Sequence, residues 1–101
     1  MIVHLSAEAE QDIEAIGDYI AVDNPARAIS FVSELRTKCL ELAALPNAFP
    51  LVAGYEAEGV RRRRHGNYLI FYRVQTAKLV VIHVLHGARD YDAILFPDAD
   101  E

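Results

Sequence analysis

At 101 residues with 52% apolar side chains, the chain has room for one domain, expected to span 1–101, and more apolar surface than so small a core needs. A domain of this size buries only roughly 60–70% of the surface its unfolded chain exposes. The formal charge of −5 argues against a broad electrostatic grip on nucleic acid, and the lone Cys39 leaves no disulfide framework and no cysteine-based metal cluster.

No signal peptide is visible, and no apolar run approaches the roughly 18 residues of a membrane span, so a cytoplasmic location is expected. Cys39 is then a buried structural thiol. The charge is uneven. Glu8, Glu10, Asp12, Glu14 and Asp18 crowd the first helix, Asp98, Asp100 and Glu101 close the chain, and Arg61, Arg62, Arg63 and Arg64 stand together.

Ile2 to Leu5 reads as a short strand. Ser6 suits an N-cap, because its hydroxyl can accept a free amide of the first turn. Glu8 and Glu10 complement the positive helix end. Ala9, Ile13, Ile16 and Ile20 form one stripe, which predicts a helix from Ala7 to Val22. Asn24-Pro25 stops that helix and starts the next, with Asn24 as cap and Pro25 at the first helical position. Ala28, Phe31, Val32, Leu35, Cys39, Leu42 and Leu45 predict a second helix ending near Leu45, before Pro46. So short a connection makes an antiparallel hairpin.

Residues 47–59 read as a loop, Val60 to His65 as a polar strand, and Gly66-Asn67 as a tight turn. Tyr68 to Val74 and Leu79 to His86 are two further strands. Asp90 to Phe96 can form one or two helical turns. The order β-α-α-β-β-β with a short C-terminal helical element predicts an α+β fold, a helix hairpin packed on an antiparallel sheet.

Strict alternation puts Tyr68, Ile70, Tyr72 and Val74 on one face of the third strand and Leu69, Phe71 and Arg73 on the other. In the fourth it opposes Leu79, Val81, His83 and Leu85 to Val80, Ile82, Val84 and His86. Both strands are apolar on both faces, whereas a half-solvated antiparallel sheet alternates apolar with polar. The helix hairpin covers one face. The other is closed by the tail, by residues 47–59, or by another chain, which would make it a binding groove.

On a strand, only two of the four arginines Arg61–Arg64 can line one surface. They could hold phosphates or carboxylates, or simply protect a solvated edge. His83 and His86, three apart, point to opposite faces and cannot chelate one metal, and adding His4 and His65 gives no ligand spacing. No metal and no cofactor is expected. His86, Arg89 and Tyr91 gather after the last strand. A base, a cation and an acid in that order suit RNA cleavage through the 2′-hydroxyl, although a simple turn explains the same spacing.

The segments Gly66-Asn67-Tyr68-Leu69-Ile70-Phe71-Tyr72-Arg73-Val74 and Val84-Leu85-His86-Gly87-Ala88-Arg89-Asp90, in this element order, resemble the ParE branch of the RelE/ParE toxin superfamily. The resemblance covers nearly the whole chain. It implies a type II toxin that inhibits DNA gyrase by protein–protein binding, leaving cleaved DNA trapped. It also implies a ParD-like antitoxin whose flexible segment folds around the toxin in a hetero-oligomer. Neither sequence-specific nucleic-acid binding nor membrane binding is expected. Candidate target contacts are Arg61, Arg62, Arg63, Arg64, Arg89 and Tyr91. Candidate antitoxin contacts are Leu69, Phe71 and Arg73 on the sheet and Ile16, Ile20, Phe31 and Leu35 on the hairpin. The rival RelE branch cuts mRNA on the ribosome. It uses an arginine where this chain has Leu69, an arginine matched by Arg89, and a tyrosine where it has Leu95. RelE proteins are also basic, whereas this chain is acidic. An inactive relative that only binds its antitoxin is the third possibility.

Overall fold

The computed structural model describes residues 1–98, so Asp100 and Glu101 of the acidic ending lie outside the described residues. Strand β1 (Ile2–Leu5) leads into helices α1 (Ala7–Ala21) and α2 (Pro25–Glu41), followed by β2 (Val60–His65), β3 (Tyr68–Val74), β4 (Lys78–His86) and a short α3 (Tyr91–Leu95). The strands form one sheet in the order β1-β4-β3-β2. The β2–β3 and β3–β4 pairs are antiparallel, while β1 lies parallel to β4, Ile2 opposite Lys78 and Leu5 opposite Val81. The expected antiparallel sheet is therefore mixed at one edge, because the hairpin carries the chain back over the sheet before its second strand.

The helix starts are the predicted ones. Ser6 Oγ accepts the Ala9 amide at 3.0 Å, and Asn24 Oδ1 accepts that of Arg27 at 3.0 Å. The second helix ends at Glu41, short of Leu45. The amides of Leu42, Ala43, Ala44 and Leu45 bond three residues back, to Cys39, Leu40, Glu41 and Leu42, which winds the last turn more tightly. Arg63 reinforces that stop from β2. Its Nη1 donates to the Lys38 carbonyl at 3.0 Å, and its Nη2 meets the Glu41 carboxylate at 3.0 Å.

Strand β4 departs from strict alternation. Phe71 pairs with His83 but Tyr72 with Val81, so β4 carries one extra residue at Ile82. Beyond this bulge the faces exchange. Leu79, Val81 and Val84 all join the helix-side core, whereas Ile82 and Leu85 lie on the opposite side. The start of α1 supplies partners to the backbone around the bulge. Ser6 donates its amide to the Val81 carbonyl and its hydroxyl to that of Ile82, both at 2.9 Å. Asp12 Oδ2 accepts from the Val84 amide at 2.9 Å and from His83 Nδ1 at 2.7 Å. Backbone groups that the ladder cannot pair thus find side-chain partners on the helix.

On the helix side the core contains Ile13, Leu35, Cys39, Leu42, Ile70 and Tyr72. Tyr72 is fully buried yet satisfied, its hydroxyl donating to the Pro46 carbonyl at 2.9 Å, and burial pushes that phenol above its ordinary pKa. The Cys39 thiol, also fully buried, is pushed up to about 11 by desolvation, the behaviour of an inert core thiol.

Candidate functional site

The four arginines divide by face, as a strand requires. Arg61 and Arg63 turn inward as staples. Arg61 Nη1 donates to the Phe49 carbonyl at 2.8 Å, and Arg63, besides holding the end of α2, lies 4.8 Å from the centre of the Phe49 ring. Two of the six expected target contacts are thereby engaged within the molecule. Arg62 and Arg64 lie on the other face, opposite Phe71 and Leu69, and make no side-chain hydrogen bond or ion pair among the described residues. The edge of β2 is partly covered by the preceding loop, through an isolated bridge between Leu51 and Arg61 and a bond from the Arg62 amide to Pro50.

The second sheet face is closed by the protein itself. Val52 and Tyr55 of the loop and Tyr91, Ile94, Leu95 and Phe96 of the tail pack over Val60, Leu69, Phe71, Ile82 and Leu85. Phe71 is 0% and Leu69 2% exposed, so the expected open groove at these residues is absent. Tyr91 tilts its ring over Phe71 at 5.0 Å, and Phe96 stacks on Tyr55 at 4.2 Å. Arg73 stays at the rim, its Nε donating to the Glu58 carbonyl at 3.2 Å. Of the hairpin residues expected to meet a partner, Leu35 is wholly inside, Ile16 and Phe31 nearly so, and Ile20 partly. The stripe that defines a helix's apolar face marks the core side, so these residues are taken up by the fold itself.

The opposite side is where the hairpin is open. Between α1 and α2 runs a groove of about 670 Å³ lined by Gly17, Ala21, Ala28, Ile29 and Val32, with Glu14 and Asp18 beside them. Ile29 is 75% exposed. Gly17 sets the depth, because a Cβ there would meet Val32 Cγ2 at 3.0 Å. Arg36 bridges the helices through two bonds to Glu10, at 3.1 and 2.9 Å, and holds that carboxyl below the usual carboxylate range. The sequence signal was available: Ile29 falls off the core stripe.

A second, smaller hollow of about 210 Å³ lies where α1 crosses the ends of β3 and β4. His86 and Arg89 line it together with Asp12, Tyr19 and Tyr68. Tyr91, the third member of the expected trio, does not line it and packs against Phe71 instead. The bulge at Ile82 explains why His86 sits beside α1 and edge-on to Tyr68 at 5.2 Å. Tyr19 and Tyr68 were not anticipated, because nothing local in the sequence brings position 19 to position 68. Among the described residues no group of three His, Cys, Asp or Glu side chains gathers as metal ligands, and no helix is long and apolar enough to cross a membrane.

A helix hairpin on a mostly antiparallel sheet, with a short C-terminal helix, is the fold shared by the ParE and RelE toxins. The chain resembles the chromosomal ParDE toxin–antitoxin system of P. aeruginosa with a TM-score of 0.72 at 20% identity, over 85% of this chain and 95% of that one. It resembles the RelBE2 toxin–antitoxin complex of Mycobacterium tuberculosis with a TM-score of 0.63 at 19% identity, over 84% and 95% of the two chains. No curated protein matches it. The family model described as the ParE toxin of the type II toxin–antitoxin system parDE matches residues 3–91, and the chain belongs to that family.

Proposed function

We propose that this toxin inhibits DNA gyrase by protein–protein binding in the cytoplasm and is silenced by a ParD-like antitoxin in a hetero-oligomer. The observation that carries the reading is the match to the ParE toxin family over residues 3–91. The solved relatives are toxin–antitoxin assemblies, which supports an antitoxin as partner. The antitoxin's place is the groove between α1 and α2, where exposed Ile29 and the small residues around it offer apolar area that the fold leaves uncovered. Target contacts fall to Arg62 and Arg64, the two strand arginines with no internal partner among the described residues.

The reading is tested by a gyrase supercoiling assay run beside a translating-ribosome cleavage assay. Blocked supercoiling with intact mRNA is expected. Cut mRNA would transfer the protein to the endonuclease reading, and silence in both assays would leave an antitoxin-binding relative. For the antitoxin, Ile29→Asp should weaken binding by about 2 kcal/mol or more with the fold intact. Unchanged affinity removes the groove from the interface.

A further inference from the structure

The hollow at the end of the sheet holds more hydrogen-bond donors than the protein uses. The Ala88 amide donates to His86 Nδ1 at 3.0 Å, so the neutral ring carries its proton on Nε2, which has no protein acceptor among the described residues. The Arg89 guanidinium is exposed and makes no hydrogen bond or ion pair among the described residues. The phenols of Tyr19 and Tyr68 are likewise without hydrogen bonds there, and they are near enough for Tyr19 to help raise the Tyr68 pKa, after burial. The one carboxylate on the rim, Asp12, already accepts from His83 and from the Val84 amide through Oδ2. Four side chains from α1, β3, β4 and the following turn therefore converge with free donors and one uncommitted positive charge.

We propose that this hollow is a phosphate-binding site, in which Arg89 and His86 Nε2–H grip the phosphate oxygens and the hydroxyls of Tyr19 and Tyr68 complete the shell. Donors spread over four side chains suit an oxyanion with three or more oxygens, whereas the two oxygens of a carboxylate are satisfied by one guanidinium fork. At about 210 Å³ the hollow is smaller than ordinary ligand pockets, which start near roughly 300 Å³, so it takes a phosphate headgroup rather than a whole cofactor. A phosphate monoester and the backbone of a single-stranded nucleic acid present the same group. The site is separate from the α1–α2 groove and does not depend on gyrase being the target.

The test is an NMR titration of the full-length protein, at constant ionic strength, with inorganic phosphate, adenosine 5′-monophosphate, a short single-stranded oligonucleotide, and acetate as the carboxylate. Saturable shifts at Tyr19, Tyr68, His86 and Arg89 are expected with the phosphates. Tightest binding of the monophosphate identifies a small phosphate ester as the ligand, and tightest binding of the oligonucleotide identifies a strand backbone. Arg89→Gln should weaken phosphate roughly tenfold or more, since a charge-assisted bond is lost. Tyr19→Phe, at an exposed position that leaves the fold undisturbed, should weaken it by a smaller factor. Absence of saturable shifts, equal binding of acetate, or affinity unchanged in both variants overturns the proposal.

Discussion

On one face of the sheet lie two helices of 15 and 17 residues, each opened by a side-chain cap, joined to each other by Arg36 and Glu10 and to β4 by Ser6 and Asp12. On the other lie a loop and a five-residue helix with no side-chain cap bond, and Asp92 Oδ1 there is buried without a hydrogen-bond partner. Both covers bury apolar side chains, so the hydrophobic driving force is of one kind on both sides. They differ in how the covering backbone is held. Polar anchors of defined geometry fix the hairpin, and Arg61 and Arg73 hold the loop by its carbonyls, while the described part of the tail packs through Tyr91, Ile94, Leu95 and Phe96. Apolar contact without directional anchoring closes a surface, but it leaves the lid in the low-stability part of the molecule.

That contrast can be broken most forcefully by emptying each side. Leu35→Ala should cost about 2–5 kcal/mol of global stability in a denaturant titration, because a fully buried leucine leaves a cavity in the better-fixed core. Phe96→Ala, half-buried on Tyr55, should cost only about 1–2 kcal/mol, less than a core phenylalanine. Equal losses would mean that the two covers are equally integral. Hydrogen exchange sharpens the same point: the Phe96 amide, bonded to Asp92, should exchange by local opening far faster than the ladder amides of β3 and β4. Matching protection would show that the tail opens only with the whole fold.

Smaller effects come from titration. The Cys39 thiol should resist alkylation at pH 8 in the folded protein and react freely in denaturant. Its folded pKa of about 11 exceeds the unfolded value near 9, so the unfolded chain loses the proton first. Stability should therefore decline as pH rises from 9 towards 11, and Cys39→Ala should remove that decline. For Glu10 the sign is opposite. Arg36 depresses its folded pKa, so its contribution is present above the unfolded value and lost as pH falls through the folded one. Both partners are nearly half exposed, which limits the effect to well under about 1 kcal/mol, and Glu10→Gln should flatten the acid limb only slightly.

Most element boundaries were legible because caps and periodicity are local signals, as at Ser6, at Asn24-Pro25 and in the turn at Gly66, whose φ is 58°. What escaped is nonlocal. The bulge at Ile82 depends on pairing with β3 and on partners from α1, and without it the faces of Val84, Leu85 and His86 are assigned wrongly. The inward turn of Arg61 and Arg63 depends on carbonyls at Phe49 and Lys38 that no spacing rule reveals. The two-faced apolar character of β3 was read correctly, yet composition alone could not decide between a partner and the chain's own tail as the cover. One replacement that would have probed a groove, Phe71→Asp, would instead place a charge in a dry core.

Strand β1 sits beside β4, and the bond from Ser6 to Ile82 spans 76 positions of chain. During synthesis the amino-terminal edge has no neighbour until β4 has left the ribosome, since the strand it abuts is the last of the sheet to be made. A growing polypeptide therefore cannot complete this sheet early: its first edge is closed only once the last strand has emerged, so the toxin fold is finished near the end of synthesis.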